Sequence, residues 1–174
     1  MKIRKMTLCA LFAALLCVLA PLSVPIGPVP ISLASFVAYL AGSVLGAGYG
    51  ALSVFLYVLL GAFGLPVFAG WAGGLGVVAG LTGGYIVGFI PCAACSGLLA
   101  GRLRGWGDPC GMLLGTAVLY AVGTLWFILQ TGNTLAVALA GCVLPFLPGD
   151  ALKIAAASLL APRLRAALSR SAGN

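Results

Sequence analysis

The chain has 174 residues, is 63% hydrophobic and only 6% charged, and has a mean hydropathy of +1.22. A soluble domain carries about 25% charged residues, so this composition excludes a water-covered globule and makes the bilayer the solvent for most of the chain. The net charge of +7 comes from nine Lys or Arg dispersed along the sequence rather than gathered in a tract, which argues against nucleic acid as a partner and for the orientation signal of a membrane protein.

At about 20 apolar residues per crossing, the length allows six spans and leaves no room for a soluble domain. The expected architecture is an all-α integral membrane protein, one six-helix domain over 1–174. Span one is expected over about 5–24. Its basic start and apolar run resemble a secretory signal peptide, but the run reaches Val24 and Pro21 directly follows Ala20, the best small-residue cleavage point, so a retained helix is expected. Span two is expected over about 30–46, after the Pro-rich PIGPVP, and span three over about 47–63, separated from it only by GAGYG.

The next stretch, GLPVFAGWAGGLGVVAGLTGGY at 64–85, is too rich in Gly and Pro for a regular helix and too apolar for an ordinary external loop. It predicts an irregular outer loop between helices three and four that dips back between the helices, its backbone packed on protein. Glycines such as Gly70 and Gly74 let backbone approach a ligand closely. Phe68, Trp71 and Tyr85 offer flat aromatic walls, and Thr82 and Tyr85 offer hydroxyls. The alternative is a tightly packed cap with no ligand contact. Spans four, five and six are expected over about 83–102, 110–130 and 149–168.

Charge orients this bundle. Lys2, Arg4 and Lys5 precede span one, Arg102 and Arg104 lie between spans four and five, and Arg163, Arg165 and Arg170 end span six. With six spans all three clusters fall on the cytoplasmic side, and the connections 25–30, 64–82 and 131–148, which carry no Lys or Arg, fall outside.

The chain has two acidic residues, Asp108 and Asp150. Asp150 stands in PFLPGDALK with Lys153 three residues on, one face of span six, inside a long apolar stretch. Asp150 precedes Arg163 by 13 residues, about 20 Å of helix at 1.5 Å per residue. Both charges therefore lie at depth, where an ionisable group costs a few kcal/mol or more and marks a site by default. Pro145, Pro148 and Gly149 break the chain just before Asp150, predicting a helix N-terminus with unpaired N–H groups. The competing reading is a mutual ion pair that only pins helix packing.

Small residues recur every four positions: Gly80, Gly84, Gly88, Cys92, Ser96 and Ala100; Gly42 and Gly46; Ala10 and Ala14. Such ladders let helices approach closely. The six cysteines include one C-x-x-C, Cys92 and Cys95, but no His and no second pair exist to complete a zinc site, so packing is expected and no metal or other cofactor. No G-x-x-x-x-G-K-[ST] loop is present, and without a nucleophile–base pair catalysis is not expected. These features describe a small membrane binder with one polar site; uphill transport would need energy from another protein.

Residues 27–89, GPVPISLASF through GLPVFAG to LTGGYIVGF, together with VLPFLPGDALK at 143–153, resemble the BioY family, the biotin-binding S subunits of energy-coupling factor (ECF) transporters. The resemblance implies a six-helix bundle with both termini cytoplasmic in the plasma membrane of a prokaryote. It implies biotin as ligand, and as partners a transmembrane coupling subunit and two ATPase subunits. It also suggests Ala10 and Ala14 as the surface on which the coupling subunit docks. Two positions depart from the family pattern. Ala34 stands where Gln is usual, which puts a ligand contact from that position in doubt, and Leu81 stands where Pro is common. Asp150 would take ureido N–H groups, while Lys153 would pair with the carboxylate or donate to the ureido oxygen. An S subunit for another vitamin, such as thiamine, and a purely structural membrane protein are the alternatives. The cation of thiamine disfavours Lys153.

Overall fold

The computed structural model describes residues 2–25 and 29–170. Residues 26–28 of the expected outer connection 25–30 and the tail from 171 onward lie outside the described residues, as do the side chains of Lys2 and Arg104. Among the described residues the chain forms eight α-helices: α1 Lys2–Leu19, α2 Ala34–Leu45, α3 Ala47–Ala62, α4 Leu75–Ala79, α5 Gly83–Leu98, α6 Gly107–Thr131, α7 Leu135–Cys142 and α8 Leu147–Arg170. Two short antiparallel strands, β1 Ser23–Val24 and β2 Ile31–Ser32, join α1 to α2, with Ser23 opposite Ser32 and Val24 opposite Ile31.

Helix ends follow local chemistry. Pro21 disfavours helix in the residue before it and stops α1 well short of Val24. The Ser32 hydroxyl accepts from the Ala34 N–H (3.2 Å) and opens α2 four residues later than the sequence suggests. Gly46, at φ +85°, ends α2 with its N–H on the Gly42 carbonyl and leads straight into α3. Asp108 and Pro109 occupy the first turn of α6, and Gly132 in the left-handed region closes it. The stretch 64–82 is broken into a turn at Ala69–Trp71 and the five-residue α4.

Helices α2 and α5 form the centre: α2 touches α1, α3, α5, α6 and α8, while α5 touches α2, α3, α4 and α6. The small-residue ladder of α5 lies against α6. A Cβ at Gly84 would overlap Trp126, one at Gly88 would stand 3.0 Å from Leu119, and the Cys92 and Ser96 carbonyls face Gly115 and Gly111. Gly80 and Ala100 lie outside α5 and take no part in this ladder. A Cβ at Gly42 would likewise overlap the Ala93 carbonyl of α5.

The outer faces are apolar. Leu52, Phe55 and Leu59 of α3, Leu113, Leu114, Leu125 and Leu129 of α6, and Leu152 and Leu159 of α8 are all exposed. The polar side chains Ser35, Asp108, Thr116, Thr124 and Asp150 are buried instead. This is the reverse of a soluble bundle. Among the described residues α6 alone suffices by length and composition to cross a membrane, and α7 with α8, bent by 52°, would make a second crossing; α2, α3 and α5 are apolar but shorter. The 12 residues of α2 rise only about 18 Å, against a hydrocarbon core of about 30 Å.

Two further differences from expectation bear on the site. The connection 131–148 contains α7 rather than an open loop. Helix α8 starts at Leu147, not after Gly149, and the Asp150 N–H is already bonded to the Phe146 carbonyl (2.8 Å). The Pro residues place the helix start one turn before Asp150, so its amide is not an open donor.

Candidate ligand-binding site

A cavity of about 150 Å³ opens where the hairpin, the 64–82 stretch and five helices, α2, α3, α5, α6 and α8, converge. Its walls are mainly aromatic and aliphatic: Tyr57 of α3, Phe68, Val77 of α4, Tyr85, Ile86 and Phe89 of α5, Leu119 of α6, and Phe146. The Tyr57 and Phe68 rings meet edge to face with centroids 5.6 Å apart, which fixes both rings. Polar groups converge at one side: Ser32, Ser35, Tyr120, Asp150 and Lys153.

Those five form one network. Lys153 Nζ donates to the Ser32 carbonyl (2.8 Å), the Ser35 hydroxyl (3.0 Å) and Asp150 Oδ1 (3.0 Å). An ammonium has three donors, and these three bonds use all of them. Asp150 Oδ1 also accepts from Ser35 Oγ (3.3 Å), and Oδ2 accepts from the Tyr120 hydroxyl (2.6 Å). Asp150 and Lys153 thus make a buried ion pair, with side chains 6% and 13% exposed, held by β2, α2 and α6. A buried charge pair is tolerable when further hydrogen bonds satisfy both partners, as here.

The structure brings Asp150, Lys153, Phe68, Thr82 and Tyr85 together around this cavity. It does not bring Trp71, Gly70 or Gly74 to its lining. Trp71 points outward, 63% exposed, because the tight turn in which Phe68 pairs with Ala72 puts Gly70 and Trp71 in the left-handed region, at φ +70° and +63°. Gly70 donates its N–H to the Pro21 carbonyl (3.1 Å), and Gly74 donates to the Gly61 carbonyl (2.7 Å). Both glycines therefore fasten the cavity's rim to its surroundings. The hydroxyl of Tyr85 is directed away from the cavity, donating to the Cys142 carbonyl (3.2 Å) and lying 3.3 Å from Thr124 Oγ1; only its ring serves as a wall. Ala34 is buried and absent from the lining, while its neighbours Ser32 and Ser35 supply polar contacts.

Sequence reasoning missed Ser32, Ser35 and Tyr120. A Tyr within the apolar run of α6 was the available signal, since a buried phenol needs a partner. The two serines carried none. Ala10 and Ala14 are exposed on the free face of α1, away from the cavity.

Comparison with known proteins gives concordant results. A family model described as "BioY family" matches residues 1–170. The chain is 43% identical over 165 residues to a protein of Pyrococcus horikoshii named "Probable biotin transporter BioY", covering 95% of this chain and 98% of that one. It is 41% identical to "Biotin transporter BioY" of Thermotoga maritima, covering 93% of this chain and 96% of that one. Among solved structures it is similar to the S-component for biotin from an ECF-type ABC transporter, with a TM-score of 0.86, 31% identity, and coverage of 94% and 92% of the two chains.

Proposed function

The chain belongs to the BioY family, and from that premise we propose that it captures biotin from outside the cell as the S subunit of an ECF-type transporter. It is a membrane-embedded transport subunit and not an enzyme. The observation that carries the reading is the joining of an aromatic-walled cavity to the network of Asp150, Lys153, Ser32, Ser35 and Tyr120. Biotin has the matching chemistry: an apolar bicyclic body with N–H donors and a carbonyl at the ureido end. The apolar body fills the space between Phe68, Tyr57, Tyr85 and Phe89, and the Asp150–Lys153 network meets polar groups of the ligand. Thr82 lines the same cavity and adds a hydroxyl.

Helices α1, α2, α3, α5, α6 and α8 make the six crossings with both termini in the cytoplasm, the cavity faces outside, and the Gly-rich stretch 64–82 forms part of its rim. The membrane is the plasma membrane of a prokaryote. The sequence has no Walker loop; two ATPase subunits and a transmembrane coupling subunit supply the energy, the latter docking on the face of α1 that carries Ala10 and Ala14. Thiamine fits less well, because the one acid of the cavity is already neutralised by Lys153.

The test is a titration of the purified protein with biotin and, in parallel, with thiamine. Saturable biotin binding with no thiamine binding is expected. Tight thiamine binding, or no response to biotin by a folded sample, would overturn the assignment.

A further inference from the structure

Helix α8 carries both charges of the cavity, yet little apolar surface holds it in place. It touches α2 and α6, and its buried positions are Asp150, Ile154, Ala157 and Ala161: one large aliphatic side chain and two alanines between the charged ends. Leu152 and Leu159 face outward. The register of α8 therefore depends strongly on polar contacts.

A second set of such contacts lies at the other end of the helix. Arg165 grips Asp108 of α6 with both prongs of its guanidinium, Nη1 to Oδ1 (2.7 Å) and Nη2 to Oδ2 (2.6 Å). Nη1 also donates to the Ser43 carbonyl of α2 (2.8 Å). Asp108 is 3% exposed. The same three helices are thus joined at two levels: Ser35, Tyr120 and Asp150–Lys153 at one, Ser43, Asp108 and Arg165 at the other. Arg165 follows Lys153 by 12 residues, about 18 Å along the helix.

A bidentate fork fixes direction as well as distance, because the planar guanidinium meets both carboxylate oxygens in one orientation only. It therefore sets both the height of α8 and its rotation against α6. Pro162 lacks the N–H that would bond one turn back and softens the helix just before Arg165, so the fork also fixes how that end lies.

We propose that Asp108 and Arg165 are positioning residues for ligand binding: the inner clamp holds α8 in the register that brings Asp150 to Tyr120 and Lys153 to Ser32 and Ser35. This inference rests on the cavity being the biotin site. It gives Arg165 and Asp108 a role that neither orientation of the bundle nor local helix chemistry requires.

The experiment measures biotin affinity of the folded, purified protein beside its melting temperature, in the parent, Arg165→Met, Arg165→Lys, Asp108→Asn, the double variant Asp108→Asn/Arg165→Met, and Arg163→Met. Arg163 is exposed and two residues from Arg165. The expected result is at least a tenfold loss of affinity in Arg165→Met and Asp108→Asn, partial recovery in Arg165→Lys, and parent affinity in Arg163→Met. The double variant regains melting temperature, because no buried charge is left alone, but not affinity. Should the single variants fail to fold, the double variant and Arg165→Lys still give the answer. Parent-like affinity in the double variant, or equal losses in Arg163→Met, overturns the proposal. A ligand-free readout separates it from the functional assignment: spin-labelled residues introduced at Leu125 of α6 and Leu159 of α8 report the spacing of the two helices. In the double variant this distance distribution shifts or broadens; an unchanged distribution overturns the positioning role even if biotin proves not to be the ligand.

Discussion

Removing the charges of the Asp150–Lys153 network, singly and together, separates a ligand site from a packing device. Lys153 makes three bonds of 2.8–3.0 Å and Asp150 accepts three, one of them shared between the pair. In Lys153→Met the carboxylate of Asp150 keeps Tyr120 and Ser35 but loses its counter-charge, and breaking a buried pair from one side costs about 3–5 kcal/mol of stability. Asp150→Asn leaves Lys153 with neutral acceptors only and no counter-charge, and is similarly costly. Neutralising both removes the unpaired charge, so Asp150→Asn/Lys153→Met recovers most of the melting temperature. Binding behaves differently. Each residue that meets the ligand contributes a charge-assisted bond of about 1.5–3 kcal/mol, and at about 1.4 kcal/mol per decade this is roughly a 10- to 150-fold weaker affinity per single change. The double variant is expected to be stable yet to bind biotin more weakly than either single variant. The assay is calorimetric titration beside thermal unfolding, in one detergent and at one protein concentration. A double variant that binds biotin as the parent does refutes the reasoning, because the pair would then serve packing alone.

Tyr120→Phe removes only the 2.6 Å bond to Asp150 Oδ2 and keeps the ring; affinity is expected to fall roughly tenfold, for a bond of about 1.5 kcal/mol to a charged group, as read by the same titration. Trp71→Gly is expected to keep parent affinity without losing stability, since the side chain is off the cavity and a left-handed non-Gly residue costs about 1–2 kcal/mol; a tenfold weaker affinity would show that the indole reaches the ligand. Replacing Ala10 or Ala14 by Leu should leave biotin binding near the parent value and weaken co-purification with the coupling subunit, and lost binding would assign that face to the fold. Cysteines introduced near Asn133 should react with an impermeant reagent applied from outside, whereas those near Ser169 should not; labelling at both would contradict the topology.

Several elements were legible because they are local. The apolar runs of α3, α5, α6 and α8 are visible as runs, and Gly64, Pro66 and Gly70 announce irregular chain after α3. Boundaries failed where a contact from elsewhere decides them. Helix α2 starts late because residues 31 and 32 are taken into a strand pair with 23 and 24. Within the site, the pair in PFLPGDALK stood out by charge alone, but its partners Ser32, Ser35 and Tyr120 are 30–121 positions distant and carry no marking pattern. Asp108 falls between the expected spans 83–102 and 110–130, and Arg165 stands among the charges that orient the bundle. Their pairing across 57 positions is a tertiary fact that no window of sequence contains. Trp71 failed for the opposite reason: its residue type suits a ligand wall, while two consecutive left-handed residues turn it outward.

The full use of every donor on Lys153 has an electrical consequence. Asp150 and Lys153 stand 3.0 Å apart and are bonded to each other, so the two charges cancel locally. Moving a unit charge through the whole membrane potential is worth about 2.3 kcal/mol per 100 mV, but a neutral, closely spaced pair presents almost nothing for that field to act on. The pair therefore adds almost no voltage dependence of its own to ligand binding. Of the loaded complex, only the carboxylate that the ligand itself brings feels the field.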